Sequence, residues 1–142
     1  MACKGSVRRI SLDTNDHTDV YLSIENVQNA VAIDFDYVNN RIYFTDHDLR
    51  LIRSADFDGN DAVTLIDKDL ITPDGLAFDW IAKNMYWSDA GRNVIEVARV
   101  DGSSRKVIVD LELDEPRAIA LIPDRGFMFW SDSGVVPKIE RG

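Results

Sequence analysis

The sequence contains few of the residues that build metal, disulfide or redox chemistry. Its 142 residues include one cysteine, Cys3, and two histidines, His17 and His47, which are 30 residues apart. A single cysteine forms no internal disulfide, and these three residues have no metal-ligand spacing. We therefore expect no metal site and no cofactor, and we interpret both histidines as solvated.

Long apolar runs and excess positive charge are also missing. No apolar run approaches the roughly 18 residues of a membrane helix, and residues 1–6 contain no apolar stretch typical of a signal peptide. We expect no direct membrane insertion by this segment. The chain has 16 Lys and Arg against 25 Asp and Glu, a net charge of −9. This balance argues against nucleic-acid binding, which requires a basic surface.

What the sequence does contain is a repeat with a spacing of 43 residues. Residues 42–46 read Ile-Tyr-Phe-Thr-Asp, residues 85–89 Met-Tyr-Trp-Ser-Asp and residues 128–132 Met-Phe-Trp-Ser-Asp. Each copy has an apolar residue, two aromatics, a small hydroxyl residue and an aspartate. The agreement extends outward, for example to Ile33, Leu76 and Ile119. A repeat of this length determines the architecture of the whole chain.

Each repeat is predicted to form four short strands separated by turns. In the first repeat the strands are predicted over residues 31–35, 41–45, 51–57 and 62–66, and in the second over 75–78, 84–88, 94–100 and 105–109. The third repeat predicts strands at 118–121, 127–131 and 138–141, without a fourth. Residues 7–12 and 20–24 match the last two strands of a repeat.

Four antiparallel strands in each repeat of about 40–45 residues are typical of a β-propeller blade. We predict an all-β chain with residues 1–6 disordered and residues 7–142 forming a partial propeller. Residues 7–29 are the back half of a blade, 30–72 and 73–115 are full blades, and 116–142 are an incomplete blade. The open flanks expose strand surface, which favours self-association.

The repeated motif itself is predicted to be structural. Tyr86 and Trp87 point to opposite sides of their strand, so one is expected to pack within the blade and the other against the next blade. Asp89 is expected to accept backbone hydrogen bonds across the blade junction.

Repeated Tyr-Trp-Ser-Asp resembles the YWTD propeller of the low-density-lipoprotein receptor family. Pro-Asp-Gly-Leu-Ala-Phe-Asp-Trp at 73–80, Glu-Pro-Arg-Ala-Ile-Ala-Leu at 115–121 and Pro-Lys-Ile-Glu-Arg at 137–141 are similar to the Wnt co-receptors of the Arrow type. The resemblance covers nearly the whole chain from Val7. It implies a six-bladed YWTD propeller that this chain completes only in part. It also implies a non-catalytic module on the extracellular side of the plasma membrane, within a larger receptor, that binds Wnt proteins or secreted antagonists.

The resemblance places the ligand-facing rim just before strand one and just after the aromatic strand. The matching positions in this chain are Gln28, Asn29, Thr72, Asp74, Glu115 and Arg117. The chain departs from the family pattern after the aromatic strands. It has Leu-Arg at 49–50 and Gly-Arg at 91–92 where an acidic residue is usual, and Ser-Gly-Val at 133–135 where Trp-Gly-Glu is usual.

Two alternatives remain open at this point. Propellers also carry lactonases and related hydrolases with a calcium ion held by acidic and amide side chains, a role in which Asn29, Asp34 and Asp74 fit. The chain could also be a truncated remnant without function. The regular repeat favours the binding module over the enzyme.

Overall fold

The computed structural model describes residues 6–13, 15–16 and 19–142. Within these ranges the chain forms a two-stranded hairpin followed by three antiparallel sheets, so the predicted all-β partial propeller is confirmed. The hairpin pairs β1 (Arg8–Ile10) with β2 (Asp19–Tyr21). Cys3, His17 and residues 1–5 of the segment predicted to be disordered lie outside the described residues.

The three sheets follow one another along the chain, and each pairs its strands in sequence order. Sheet A contains β3 (Ala30–Asp36), β4 (Arg41–Asp46), β5 (Leu51–Asp56) and β6 (Val63–Ile66). Sheet B contains β7 (Pro73–Asp79), β8 (Asn84–Asp89), β9 (Val94–Arg99) and β10 (Lys106–Val109). Sheet C contains β11 (Pro116–Ile122), β12 (Phe127–Asp132) and β13 (Lys138–Arg141).

The 43-residue spacing also appears in the backbone. Asn40, Lys83 and Gly126, which lie in the turn between the first two strands of each sheet, have φ values of 53°, 60° and 67°. In sheet C a short 3-10 turn (Pro123–Arg125) precedes Gly126. A second set in the linkers, Asn26, Asp69 and Glu112, has φ values of 59°, 52° and 59°. Positive φ is uncommon outside glycine, so its recurrence shows that equivalent turns have equivalent conformations.

The core lies between the sheets. Trp87, fully buried, packs in the cluster between sheets A and B, where the ring of Tyr43 stacks on Phe78 with centroids 5.3 Å apart. Tyr86 packs instead in the cluster between sheets B and C. The two aromatics point to opposite sides, and Trp87 contacts its own repeat as well as sheet A, since Arg105 lies 5.4 Å from the centre of its ring. Since both bury their rings against a neighbouring sheet, each sheet depends on its neighbours for stability.

The two outer flanks of the described chain carry exposed apolar side chains. On β3, Val31, Ile33 and Phe35 are 46%, 54% and 58% exposed, and on β13 Ile139 is 81% exposed. In the described residues no helix has the length and apolar character needed to cross a bilayer.

Candidate functional site

Three buried aspartates organise one end of the sheets, which we call the upper end because the first strand of each sheet begins there. Asp46, Asp89 and Asp132 end the second strands and are at most 2% exposed. Each accepts hydrogen bonds of 2.8–3.2 Å from the backbone N–H groups of the two residues that immediately precede the first strand of its own sheet. Each aspartate therefore anchors the incoming linker to its own sheet.

These carboxylates also accept N–H groups from the loop that follows them. Asp89 binds Gly91 and Arg92 at 3.0 and 3.1 Å, and Asp132 binds Gly134 at 3.0 Å. Burial opposes the ionisation of Asp132, but the N–H groups of Asp114, Gly134 and Glu115 outweigh it and hold its pKa below the usual 3.8. The aspartate in each copy of the motif thus fixes two loops at the upper end.

Acid should destabilise the fold through Asp132. Because the pKa of Asp132 is lower in the folded chain than in the unfolded chain, the stability it contributes is fully present above pH 3.8 and is lost as the pH falls through the folded value. We expect the free energy of unfolding, measured with urea, to decline below about pH 4 and to be nearly constant from pH 5 to 7. Asp132→Asn should reduce this acid dependence, and an unchanged pH profile in the variant would contradict the assignment.

The hydroxyl of the motif makes the bond between neighbouring sheets. Ser88 Oγ accepts the N–H of Gly75 in its own sheet at 2.9 Å and donates to the carbonyl of Arg117 in sheet C at 2.5 Å. Thr45 Oγ1 does the same one repeat earlier, accepting from Ala32 and donating to the carbonyl of Asp74. The sequence predicted that Asp89 would bind backbone donors across the blade junction, and it does accept the N–H groups of Ile71 and Thr72 in the linker from sheet A. The direct bond from one sheet to the next, which the hydroxyl makes, was not predicted.

The hydroxyl can make this bond because each first strand contains a β-bulge. The pairing register shifts between Ala30 and Ile33, and at the equivalent positions between Pro73 and Leu76 and between Pro116 and Ile119. A bulge leaves backbone groups unpaired, and the motif hydroxyl binds one of these N–H groups. Sequence reasoning missed this role because the bulge has no residue signature in a single chain.

All six rim positions predicted from the sequence lie at the upper end. The N–H groups of Gln28, Asn29, Thr72 and Glu115 bind the three aspartates, and the Asn29 side chain donates to Asp48 at 3.2 Å. The structure therefore brings the predicted residues to one surface. Their role in ligand binding stays a prediction.

Asp74, Glu115 and Arg117 form a charged network that spans sheets B and C. The Arg117 guanidinium lies 2.7 Å from an Asp74 oxygen and 3.0 Å from a Glu115 oxygen, and it also donates to Ser133 Oγ at 3.1 Å. The hydrogen bond to Asp74 raises the pKa of Arg117 above its ordinary value. Arg117 remains 38% exposed, so an ordered cation is presented at the surface. Ser133, in the loop where the family pattern differs, was not among the predicted residues.

A second charged cluster is buried and structural. Glu96 is 2% exposed and accepts bonds from Arg92 and from two nitrogens of Arg105 at 2.8–3.0 Å. In sheet A the equivalent position is Arg53, which donates to the carbonyl of Glu25 at 2.7 Å. Both carboxylate oxygens of Glu96 are already paired, so Glu96 is poorly suited to proton transfer.

The residues suggested for a calcium-dependent hydrolase are each held by separate partners. Asp34 accepts the N–H of Phe78 at 2.8 Å, Asp74 pairs with Arg117, and Asn29 binds Asp48. Among the residues that the structure describes, no group of three or more His, Cys, Asp or Glu side chains is arranged to hold a metal ion. A calcium site needs six to eight convergent oxygens, and these contacts do not supply them.

A concave surface of about 640 Å³ lies along the first strands of the three sheets. Tyr37, Trp80 and Pro123 line it at equivalent positions of the repeat, together with apolar residues such as Phe35 and Leu121. This surface is the inner wall of the partial propeller.

The family model described as low-density lipoprotein receptor repeat class B matches residues 40–80 and 83–122. Human low-density lipoprotein receptor-related protein 4 is 52% identical over 74 residues, which cover 52% of this chain and 4% of that protein. Human low-density lipoprotein receptor-related protein 5 is 49% identical over 77 residues, covering 54% of this chain and 5% of that protein. The chain thus spans a small fraction of the curated relatives it matches.

Solved structures share the fold over nearly the whole chain. A chain in the crystal structure of a nidogen/laminin complex superposes with a TM-score of 0.90 at 31% identity, covering 98% of this chain and 54% of that one. A gluconolactonase from Xanthomonas campestris has a TM-score of 0.74 at 14% identity, covering 99% and 55%. Regucalcin, a calcium-binding protein from Agrobacterium tumefaciens, has a TM-score of 0.69 at 16% identity, covering 94% and 47%. The last two show the fold alone.

Proposed function

Because this chain belongs to the low-density lipoprotein receptor repeat class B family, we propose that it is a non-catalytic binding segment of a larger extracellular receptor. Its ligands are secreted Wnt proteins or their secreted antagonists, bound at the upper end of the propeller. The proposal places the segment on the outer side of the plasma membrane, where such ligands occur. Its partners are proteins, since the net charge of −9 does not suit nucleic acid.

The observation that carries this proposal is the ordered cation at the upper end. Arg117 is fixed by Asp74, Glu115 and Ser133 and is still 38% exposed. A side chain already ordered before binding loses little conformational entropy when a ligand contacts it. Arginine is also among the residues that contribute most to protein–protein affinity.

The loops that follow the second strands differ from the family pattern, which favours weaker or altered binding of the family's ligands. Arg50 and Arg92 stand where the family pattern has acidic side chains, and Arg92 is bound to Glu96 at 2.9 Å. Leu49, in the loop of Arg50, is 38% exposed, and Val135, in the equivalent loop after β12, is 91% exposed. We therefore propose that ligand segments with acidic or apolar side chains bind better here than strongly basic ones.

The test is binding of the 142-residue chain to an immobilised secreted Wnt antagonist. Replacing both Asp74 and Arg117 with alanine should weaken binding at least about tenfold, the change expected when an interface loses one strongly contributing side chain. The matched control is Arg9→Ala with Asp58→Ala, since this exposed ion pair lies at the opposite end of the sheets. Thermal unfolding of both double variants shows whether folding is intact.

Two results would overturn the proposal. Equal binding by the chain and by the Asp74 and Arg117 double variant would exclude these rim positions from the site. Failure of the unchanged chain to bind would exclude this ligand class for the segment.

A further inference from the structure

The ion pair at the upper end is assembled from two sheets. Asp74 is the second residue of β7 and Arg117 is the second residue of β11, so they occupy equivalent positions of neighbouring repeats. Their side chains meet at 2.7 Å. A displacement of one sheet past the other by about 1 Å would take this contact beyond hydrogen-bond distance. The order of Arg117 at the surface therefore depends on how firmly the backbones of the two strands are held together.

Strand pairing within each sheet does not fix these two residues. The register of β7 against β8 shifts between Pro73 and Leu76, and Asp74 lies in this bulge. Arg117 lies in the equivalent bulge of β11. A bulge leaves residues outside the regular ladder of hydrogen bonds. Contacts from outside the ladder must therefore hold the backbones of Asp74 and Arg117 in place.

One buried oxygen atom contacts both backbones. Ser88 Oγ accepts the N–H of Gly75, the residue after Asp74, at 2.9 Å, and it donates to the carbonyl of Arg117. The two strands come close together here, since a Cβ atom on Gly75 would lie 2.0 Å from the same carbonyl oxygen. Ser88 is fully buried, so a protein ligand at the rim would not touch it. Its influence on binding would have to pass through the residues that it holds.

We propose that Ser88 is a positioning residue for the ligand-binding rim. Its hydroxyl fixes the distance between the backbones that carry Asp74 and Arg117, and so it orders the arginine side chain that the ligand contacts. This inference rests on the proposed function for the contact between Arg117 and a ligand, whereas the positioning itself concerns the chain alone. Loss of the hydroxyl leaves a buried N–H and a buried carbonyl without their partner, and β7 and β11 are then free to shift past one another.

The first repeat contains the same hydroxyl without the ion pair. Thr45 Oγ1 accepts the N–H of Ala32 and donates to the carbonyl of Asp74, both at 3.1 Å, and Thr45 is also fully buried. The residue equivalent to Asp74 in this repeat is Val31, so the two strands that Thr45 joins carry no charged pair between them. Thr45→Val removes a hydroxyl with the same hydrogen-bonding pattern and leaves the Ser88 bridge in place. It is therefore the matched control for Ser88→Ala.

Proton exchange at the Nε–H group of Arg117 tests the positioning without a ligand. This group donates to Ser133 Oγ at 3.1 Å while two carboxylates hold the rest of the guanidinium, which slows its exchange with water. Its signal in the NMR spectrum of the isotope-labelled chain is assigned by its absence from Arg117→Lys. Ser88→Ala should raise the exchange rate at least about fivefold, the factor that corresponds to the loss of one ordinary hydrogen bond. Thr45→Val should leave the rate nearly unchanged, and Ser88→Thr should keep the exchange slow.

Binding to the immobilised secreted Wnt antagonist shows whether this order matters to a ligand. Ser88→Ala should weaken binding at least about threefold, since a disordered arginine loses conformational entropy when the ligand contacts it. Ser88→Thr should bind as well as the unchanged chain. In a chain that already carries Arg117→Ala, adding Ser88→Ala should have no further effect on binding, because a positioning residue acts through the side chain that it positions. Thermal unfolding of each variant shows whether folded chains are being compared.

Slow exchange of the Arg117 Nε–H in Ser88→Ala would overturn the proposal, and so would equally fast exchange in Thr45→Val. An equal loss of binding from Ser88→Ala with and without the Arg117 side chain would also overturn it, because the serine would then act on the fold as a whole. If the unchanged chain does not bind the antagonist, the proposed function fails, and the exchange rates alone decide the positioning. If Ser88→Ala does not fold, Ser88→Cys takes its place, since a thiol is a weak hydrogen-bond donor of similar shape. Exchange in Ser88→Cys as slow as in the unchanged chain would then contradict the assignment.

Discussion

Replacing Asp89 with alanine is expected to lower the free energy of unfolding by about 3–5 kcal/mol, because each buried donor left without a partner costs about 1–3 kcal/mol. Asp89 is fully buried and accepts the N–H groups of Ile71, Thr72, Gly91 and Arg92. Water entering the space left by the carboxylate would satisfy part of this loss. Urea unfolding of the variant and the unchanged chain measures the difference.

Two comparison variants separate hydrogen bonding from volume. Asp89→Asn keeps the size of the side chain and one acceptor oxygen, so it should be destabilised less than Asp89→Ala. Asp101→Ala removes an exposed turn carboxylate that accepts the N–H and the hydroxyl of Ser103, and it should leave the unfolding midpoint nearly unchanged. Equal destabilisation by Asp89→Asn and Asp89→Ala would mean that the negative charge, not the number of acceptors, is what the site requires.

Gly75→Ala is expected to destabilise the chain by about 3 kcal/mol through a backbone clash. A Cβ atom on Gly75 would lie 2.0 Å from the carbonyl oxygen of Arg117 and 3.0 Å from the N of Ile119. Both neighbours belong to β11, whose backbone is held by pairing with β12, so sheet C would have to move away from sheet B. The same shift would stretch the bond from Ser88 to Arg117.

The control for this prediction is Gly126→Ala. Gly126 has a φ of 67°, but a Cβ atom there meets no atom within 4 Å. Gly126→Ala should therefore lower the free energy of unfolding only by the strain of placing alanine in a left-handed backbone conformation, about 1 kcal/mol. Urea unfolding of the two variants compares the clash with the conformational cost. A larger loss in Gly126→Ala than in Gly75→Ala would contradict the assignment of close packing between sheets B and C.

The repeat made most of the fold predictable from sequence. The motif fixed the second strand of each sheet, and the predicted strand at 51–57 is observed as Leu51–Asp56. Larger differences occur at the first strands, where Pro73 and Pro116 were expected just before the strand and instead begin it. Proline is tolerated there because it is the first residue of the strand, where no ladder donor is required.

The candidate site was only partly predictable. Asp74 and Arg117 were predicted because they match positions that the family resemblance assigns to the rim, but their 2.7 Å contact joins two sheets and depends on how those sheets pack. The pairing of Glu96 with Arg92 and Arg105 was missed for a related reason. The residue equivalent to Glu96 one repeat earlier is Arg53, so the repeat pattern does not predict a buried acid at this position.

The anchoring of each linker has a consequence for how such repeats can be exchanged. Asp89 holds Ile71 and Thr72, and Asp132 holds Asp114 and Glu115 at the equivalent positions. A repeat transplanted between propellers should therefore begin at Ile71 and end at Leu113. Each boundary lies two residues before the one that would be drawn at the start of the first strands, at Pro73 and Pro116. The bond to the next sheet ends on a main-chain carbonyl, which any residue provides. A repeat cut in this way would carry its own anchor and fit a new neighbour of different sequence.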